Sequence, residues 1–314
     1  MANVLLTRRI PSSVLTLLES EHTVDLYSGE AAIPRDELLR RVADKEALIC
    51  LLTDRIDGEV MDAAPALKVI ANIAVGYENL DVPAARQRGI VATNTPDVLT
   101  EAVAEFTWGL ILGIARRIAE GDRLVRGDAW KGWALDFMLG MELRGKQLGI
   151  VGGGRIGRAV AAKAPAFGMR AVFARREGRP DRGDPAHVSL DELLVTSDVV
   201  SLHAPSTPET RHLINKRTLA RMKRSALLVN TARGALVDEE ALAWALDARL
   251  IAGAALDVYE REPGINPALR GHENILLAPH LGSATRETRT AMAELAVRNA
   301  LAVLAGNPPL TPIP

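Results

Sequence analysis

The sequence predicts an α/β protein with two domains, each built around a doubly wound parallel sheet. Short apolar runs alternate with helical patterns over residues 3–92, and a second alternating series covers residues 147–277. A long apolar helical stretch at residues 100–126 separates the two series. The length of 314 residues agrees with this division, because it favours two domains or one large one over a single small core.

In the first series, strands and helices alternate, which implies a parallel sheet whose two faces are covered by helices. Strands are expected at residues 3–7, 23–26, 47–52, 69–74 and 90–92. Helices are expected at residues 11–21, 35–42, 57–61 and 82–88. Pro11 supports the first of these helices, because proline fits the first turn of a helix.

Residues 100–126 are expected to form one long helix, because the stretch contains no proline and is rich in Ala, Leu and Ile. Apolar residues such as Val103, Trp108 and Ile111 surround it almost completely, and a helix that is apolar all round is buried. Two interpretations remain open: a core helix within one subunit, or a helix buried in a dimer interface.

The second series repeats the alternation and again predicts a doubly wound sheet. Its strands are expected at residues 147–151, 170–174, 199–202, 226–230, 251–257 and 275–277. Its helices are expected at residues 156–167, 190–196, 216–222 and 238–248. One final helix is expected at residues 285–304, followed by a proline-rich tail at residues 307–314.

The composition is that of an ordinary globular protein, with 48 % hydrophobic and 25 % charged residues. The formal net charge of −1 shows no basic excess, so we expect no nucleic-acid partner. No apolar run approaches the roughly 18 residues of a membrane span. Since no signal pattern precedes the first strand either, we expect no membrane partner and a cytoplasmic location. The single cysteine, Cys50, cannot form an internal disulfide, and no metal-ligand spacing is present.

A glycine loop follows the first strand of the second series directly. Gly152, Gly154 and Gly157 have the spacing G-x-G-x-x-G between a strand and a helix. The first glycine permits the tight turn, the second admits the pyrophosphate, and the third allows close packing of helix and strand. With Arg155 and Ile156 at the helix start, free N–H groups would hold the phosphates of a dinucleotide.

The next strand ends in Ala174, Arg175 and Arg176, where an acidic residue usually binds the ribose hydroxyls of NAD. A carboxylate would repel a 2′-phosphate, whereas guanidinium groups bind it through charge-assisted hydrogen bonds. We therefore expect NADP(H) to be preferred, with NAD(H) possible. The alternative is that both arginines are solvated and NADH is still preferred.

Three polar residues follow later strands of the same series: Arg233, Glu262 and His280. Ligands of open α/β sheets bind beyond the carboxyl ends of the strands, so these side chains are expected to converge there. An arginine can anchor a carboxylate, a histidine can supply a proton, and a carboxylate can orient the imidazole. Taken singly, Arg233 could be a turn residue and Glu262 a solvated loop charge. Together they fit the reduction of a 2-keto acid.

The chain resembles the D-isomer-specific 2-hydroxyacid dehydrogenases over nearly its whole length. The resemblance is carried by the motifs at residues 152–157, 230–234, 257–263 and 279–282. Residues 71–81 and 93–100 are similar to the glyoxylate/hydroxypyruvate reductase branch. Two departures are Glu78 in place of the family's usual aspartate, and Gly153 where a bulkier apolar residue is commoner.

The resemblance implies a flavodoxin-like substrate-binding domain formed by residues 1–98 and 285–314, and a Rossmann cofactor domain at residues 99–284, with a cleft between them. It implies that Arg233 anchors the substrate, that His280 is the acid/base, and that Glu262 rather than Glu260 is its partner. Substrate contacts are also expected from Leu52, Val75 and Gly76. A homodimer is implied, with residues 100–126 at its interface.

The remaining cofactor contacts are expected from Thr100, His203, Ala204, Pro205, Thr231, Ala232, Asp257 and Gly282. Aromatic and apolar residues after the long helix could cap the substrate pocket, from the same subunit or from its partner: Trp130, Trp133, Phe137 and Met138. The other histidines lie in polar sequence and are expected at the surface: His22, His187, His212 and His272.

The leading function is NADPH-dependent reduction of glyoxylate or hydroxypyruvate to the D-2-hydroxy acid. An alternative within the same class is a dehydrogenase for a bulkier 2-keto acid such as phenylpyruvate. A different class is a nucleotide-sensing co-repressor, which the absence of long disordered tails disfavours. Formate- and phosphite-oxidising relatives rank lower, because they depart from the glutamate–histidine pair or prefer NAD.

Overall fold

The computed structural model of the chain describes residues 1–175 and 186–314. They form two compact units, the first comprising Met1–Leu99 with Thr285–Pro314 and the second Thr100–Ala284. Each unit contains one parallel sheet with flanking helices, so the predicted fold class is confirmed. Within the described residues, no helix combines the length and the apolar character needed to cross a bilayer.

The strands of the first unit are β1 (Asn3–Leu6), β2 (Thr23–Leu26), β3 (Ala47–Cys50), β4 (Val69–Asn72) and β5 (Val91–Thr93). Those of the second unit are β6 (Gln147–Val151), β7 (Arg170–Ala174), β8 (His187–Val188), β9 (Val199–Leu202), β10 (Leu227–Asn230), β11 (Gly253–Leu256) and β12 (Ile275–Leu277).

The helices in the first half of the chain are α1 (Ser12–Glu19), α2 (Arg35–Val42), α3 (Gly58–Asp62), α4 (Val82–Gln87), α5 (Thr100–Ala115) and α6 (Ile118–Arg126). The later helices are α7 (Arg155–Lys163), α8 (Leu190–Thr196), α9 (Lys216–Leu219), α10 (Glu239–Asp247), α11 (Pro267–Arg270) and α12 (Arg286–Leu304). β8 and α11 were not predicted from the sequence.

The sheet of the first unit has the order β2-β1-β3-β4-β5, the flavodoxin-like order of a doubly wound fold. β3 and β4 are buried along their whole length, because helices cover both faces of a parallel sheet. α12 packs on β3 and β4 and completes this unit from the far end of the chain. Asp57 and Asp81 cap α3 and α4 by accepting hydrogen bonds from backbone N–H groups.

The sheet of the second unit has the order β12-β11-β10-β9-β6-β7-β8. Counted from β6, this is the Rossmann order with one further strand at the edge beyond β11. All its pairings are parallel, so the carboxyl ends of β6, β9, β10, β11 and β12 lie along one edge of the sheet. The loops that follow these strands carry the candidate site.

The prediction of a single long helix at residues 100–126 is wrong. Arg117 adopts a left-handed conformation with φ 55°, and it divides the stretch into α5 and α6. α5 is buried in the second unit, where the Trp108 indole N–H donates to the carbonyl of Val160 at 3.0 Å. α6 has no buried residue. Composition alone did not reveal the break, because arginine is a good helix former and no proline marks the position.

The prediction that residues 307–314 form a tail is also wrong, because this segment packs against the first unit. The N–H of Ile313 donates to the carbonyl of Ala92 at 2.9 Å, and the Ile313 side chain is buried in the core of the first unit. The side chain of Asn299 on α12 accepts from the N–H of Thr311 at 3.0 Å and donates to its hydroxyl at 2.8 Å. Proline-rich composition excludes a helix but not this kind of packing.

Candidate active site

The loop between β6 and α7 needs glycine at two positions. Gly152 has φ 105°, and a Cβ atom there would lie 2.5 Å from the backbone nitrogen of Ala204. A Cβ atom on Gly157 would lie 2.1 Å from the carbonyl oxygen of Gly152. Any side chain at these positions would push backbone apart. The loop after β6 therefore lies directly against the loop after β9, which contains His203 and Ala204.

The N-terminus of α7 is open to an anionic ligand. Its cap residue is Gly154, so no side chain caps the first N–H groups, and the first turn contains no acidic residue. The space around a Cβ atom on Gly154 is empty to 4 Å. Unsatisfied N–H groups and the positive end of the helix dipole favour a phosphate here. Arg155 and Ile156 begin this turn, and the geometry fits the pyrophosphate of a dinucleotide.

Steric limits do not require a glycine at position 153, whereas they do at position 152. A Cβ atom at this position would lie 3.4 Å from Cδ1 of Phe173, which is a tolerable contact. The carbonyl of Gly153 accepts a hydrogen bond from Nε of Arg158 at 2.9 Å. The turn is therefore held by a side chain from α7, and the missing side chain at this position leaves it intact.

β7 ends without a carboxylate. Ala174 is its last residue, and the N–H of Arg175 donates to the carbonyl of Val188 on β8 at 2.7 Å. Arg175 is half-buried. Arg176 lies outside the described residues. Nothing at Ala174 or Arg175 would repel a phosphate on the adenosine ribose.

The segment from His203 to Pro205 has a structural role in this unit. The His203 N–H donates to the carbonyl of Val151, and its Nε2 lies 2.8 Å from the hydroxyl of Ser201. Desolvation lowers the pKa of His203 to about 3, so its imidazole is neutral at physiological pH. The carbonyl of Pro205 accepts from the hydroxyl of Thr210 at 2.7 Å. His203 is therefore unsuited to supply a proton.

The loop after β10 is organised by Asn230, a residue to which the sequence analysis assigned no role of its own. Its buried amide donates to the carbonyl of Arg233 at 2.8 Å and accepts from the N–H of Ala232 at 3.0 Å. The hydroxyl of Thr231 lies 2.9 Å from that of Thr107 on α5. These contacts fix the backbone from Thr231 to Arg233, and the only hint in the sequence was the asparagine at the strand end.

Gly234 allows this loop to meet the loop after β11. A Cβ atom on Gly234 would lie 1.9 Å from the carbonyl carbon of Tyr259 and 2.4 Å from the nitrogen of Glu260. Arg233 is thereby held next to the segment that carries Glu262. The positive charge of Arg233 is one of the causes that lower the pKa of Glu262.

Glu262 and His280 form the central pair of the site. Oε2 of Glu262 lies 2.7 Å from Nδ1 of His280, while Oε1 accepts from the N–H of Tyr259 at 3.0 Å. Burial opposes the charge of Glu262. The His280 contact, the backbone N–H and Arg233 outweigh burial, so the pKa of Glu262 lies below its ordinary value. His280 has φ 54°, a strained conformation for a non-glycine residue.

Asp257 holds the loop that carries His280. Its carboxylate accepts from the N–H of Leu281 at 2.6 Å and from the N–H of Gly282 at 2.8 Å. Its backbone carbonyl accepts from the N–H of His280 at 2.9 Å. Burial raises the pKa of Asp257. Asp257 and Gly282, both expected as cofactor contacts, are thus bonded to each other and support the His280 loop.

Glu260, two residues before Glu262, has a different partner. Its carboxylate binds Nε2 of His212, which is half-buried rather than at the surface. The geometry therefore separates the two glutamates, since only Glu262 contacts His280. Glu262 is also the glutamate that the family resemblance pairs with His280, and its catalytic role stays a prediction.

The residues expected to contact the substrate from the first domain lie in the first unit, at the carboxyl ends of β3 and β4. Asn94 donates to the carbonyl of Val75 at 2.7 Å, and Asn72 donates to that of Gly76 at 3.0 Å. Leu52, just after β3, is exposed. Thr100, by contrast, begins α5 in the second unit. The two supporting asparagines were missed, because nothing in the sequence marks their long-range contacts.

Comparison with known proteins identifies the family of this chain. Residues 108–282 match the family described as D-isomer specific 2-hydroxyacid dehydrogenase, NAD binding domain. A glyoxylate reductase from Thermofilum pendens is 50 % identical over 313 residues, which cover 98 % of this chain and 92 % of that protein.

Solved structures of related proteins also match the chain over almost its whole length. A protein from Thermus thermophilus superimposes with a TM-score of 0.94 at 50 % identity, with 99 % of this chain and 100 % of that chain covered. An NADPH-dependent glyoxylate/hydroxypyruvate reductase from Sinorhizobium meliloti, in complex with NADP and malonate, gives a TM-score of 0.86 at 34 % identity over 99 % of this chain and 96 % of that chain. This chain belongs to the D-isomer-specific 2-hydroxyacid dehydrogenase family, in its glyoxylate reductase branch.

Proposed function

We propose that this protein reduces a small 2-keto acid, glyoxylate or hydroxypyruvate, to the D-2-hydroxy acid, with NADPH as the reductant. The observation that carries the proposal is the 2.7 Å contact between Glu262 and His280, beside the loop of Arg233 at the carboxyl edge of the second sheet. The glyoxylate reductases among its relatives support the same substrate class.

Each member of this group has a distinct task. Arg233 presents a guanidinium group that anchors the substrate carboxylate and polarises the neighbouring carbonyl. His280, with Nδ1 bonded to Glu262, keeps Nε2 for the substrate and donates a proton to the oxygen that becomes the hydroxyl. Glu262 accepts the hydrogen bond from Nδ1 and thereby orients the imidazole. We expect no role for Glu260 in this step, because its carboxylate is occupied by His212.

A dinucleotide would be held by the glycine loop and α7, with the segments around His203, Thr231 and Gly282 as further contacts. When bound, its nicotinamide supplies the hydride. The preference for NADP(H) is proposed from Ala174, Arg175 and Arg176, which replace the carboxylate typical of NAD sites. The NADP complex of the Sinorhizobium relative supports this choice.

The first unit is proposed to bind the substrate and the second to bind the cofactor, with backbone N–H groups at Val75 and Gly76 and the side chain of Leu52 facing the substrate. A homodimer is proposed as well. Support comes from the large exposed apolar side chains between residues 118 and 139, which are Ile118, Val125, Trp130, Trp133, Leu135, Phe137 and Leu139. A monomeric mass in solution would contradict the dimer.

The function is tested by a substrate panel with NADPH: glyoxylate, hydroxypyruvate, pyruvate and phenylpyruvate, each followed by the loss of NADPH absorbance. We expect the highest kcat/KM with glyoxylate or hydroxypyruvate. A preference for phenylpyruvate would favour the bulkier-acid alternative. If no acid in the panel is reduced, the proposed function is wrong.

The cofactor preference is tested by the triple variant Ala174→Asp, Arg175→Ser, Arg176→Ser. A charge-assisted hydrogen bond is worth about 1.5–3 kcal/mol, so we expect the kcat/KM ratio of NADPH to NADH to fall by roughly 10- to 100-fold. The control is Arg170→Ser, which removes an exposed arginine at the opposite end of β7. A ratio that does not change in the triple variant would contradict the preference.

A further inference from the structure

We infer that Glu239 is a positioning residue, which keeps Glu262 aligned with His280 by holding both ends of the loop that carries Glu262. The inference rests on the proposed function, since it assigns to Glu239 an effect on the proposed acid–base pair. The hydrogen bonds of the Glu239 carboxylate go to the backbone on either side of Glu262, and it acts on the pair through that backbone.

The carboxylate of Glu239 spans the loop that carries Glu262. Its Oε1 accepts from the N–H of Glu260 at 2.8 Å, and its Oε2 accepts from the N–H of Asn266 at 3.3 Å. Glu262 lies between these two attachment points in the sequence. One side chain thus ties the beginning and the end of this segment to the start of a helix in the core.

The residue type suits this task. Glu239 is only 5 % exposed, and a buried carboxylate is costly unless hydrogen bonds and a favourable field compensate for the lost water. Two backbone N–H groups supply the hydrogen bonds, and the position in the first turn of α10 adds the positive end of the helix dipole. A glutamine could not replace it, because its amide group would face an N–H donor with another donor.

The loop that carries Glu262 must be held in place, because the Glu262–His280 hydrogen bond is sensitive to distance. The Glu262–His280 hydrogen bond is 2.7 Å long, and a shift of about 1 Å would take it out of hydrogen-bond range. Both partners are about one-third exposed, so the surrounding protein does not fully enclose them. Alignment therefore depends on the backbone on either side of Glu262, together with the hydrogen bond that its Oε1 accepts from the N–H of Tyr259.

The test compares Glu239→Gln with Glu240→Gln in the full-length protein. Both variants remove one negative charge from the same helical turn, but Glu240 is exposed, so it serves as the matched control. We expect Glu239→Gln to lower kcat by roughly 10- to 100-fold, while KM and the Kd of NADPH change little. For Glu240→Gln we expect the kcat, the KM and the Kd of NADPH of the wild-type protein.

A second readout does not depend on turnover. The Nδ1 proton of His280, bonded to Glu262, should give a downfield NMR signal in the ligand-free protein. We expect Glu239→Gln to shift this signal upfield or broaden it, and Glu240→Gln to leave it in place. If the unchanged protein reduces no 2-keto acid, the proposed function fails, but this signal still decides whether Glu239 aligns the pair.

A double variant separates positioning from general destabilisation. If Glu239 acts through Glu262, adding Glu239→Gln to Glu262→Gln should lower kcat no further. Losses that multiply would overturn the inference, as would a Glu239→Gln protein with unchanged kcat and an unchanged imidazole signal. Should Glu239→Gln fail to fold, Glu239→Asp keeps the charge and shortens the reach. If the Glu239→Asp protein then has an unchanged kcat and an unchanged His280 imidazole signal, the inference is overturned.

Discussion

Replacing His280 with alanine is expected to lower kcat/KM for the 2-keto acid by about 10²- to 10⁴-fold, the usual contribution of a general acid. The variant loses the only imidazole bonded to Glu262 in the described part of the chain, and with it the proton for the reduced carbonyl oxygen. The glycine loop, which lies after a different strand, is left intact, so the Kd of NADPH should change little. Steady-state kinetics and fluorescence titration with NADPH measure the two quantities separately.

The control is His22→Ala, since His22 belongs to the first unit, where its ring accepts a hydrogen bond from the N–H of Ala2, whereas the glutamate–histidine pair belongs to the second unit. Its loss should leave kcat/KM nearly unchanged. Substantial turnover by the His280→Ala variant would rule out its role as the acid, whatever the behaviour of the control.

The Glu262→Gln variant completes this experiment. It keeps the size of the side chain but replaces the carboxylate that orients the His280 imidazole, so we expect a smaller loss than for His280→Ala. The folded pKa of Glu262 lies below its ordinary value. The stabilisation from its ionised form is therefore present above the unfolded pKa and is lost as the pH falls through the lower, folded pKa. The pair should accordingly remain intact throughout the neutral range.

Gly234→Ala is expected to damage both stability and catalysis. The new Cβ atom would lie 1.9 Å from the carbonyl carbon and 2.0 Å from the carbonyl oxygen of Tyr259. These are backbone atoms, so no flexible side chain can move aside, and the two loops must separate. Overpacking of this kind costs about 1–3 kcal/mol in free energy of unfolding.

The catalytic loss follows from the same separation. It moves Arg233 away from the segment of Glu262, and a displacement of about 1 Å can lower kcat/KM roughly 10²-fold. Denaturant unfolding and steady-state kinetics measure the two effects. Gly271→Ala is the control, because a Cβ atom there meets nothing within 4 Å and its φ of −83° suits any residue. A Gly234→Ala protein with unchanged stability and activity would show that the loops can separate without cost.

Much of the fold was predictable because its signals are local. The alternation of buried strands with helices predicted both parallel sheets, and the glycine loop after β6 predicted the turn that Gly152 and Gly157 require. The break at Arg117 was missed, because one residue in a left-handed conformation leaves the surrounding helical pattern unchanged. The packing of Ile313 beside β5 was missed for a related reason, since it depends on contacts with distant residues.

By itself, the sequence determined that this chain has a dinucleotide-type glycine loop and that an arginine, a glutamate and a histidine follow successive strands of one sheet. Only the tertiary structure decided which groups meet. In the structure Glu262 is hydrogen-bonded to His280 and Glu260 to His212, although the two glutamates are only two residues apart. The structure also revealed the supporting contacts of Asn230 and Glu239. The physical reason is that turns and helices depend on neighbouring residues, whereas these hydrogen bonds join segments that only the packing of the sheet brings together.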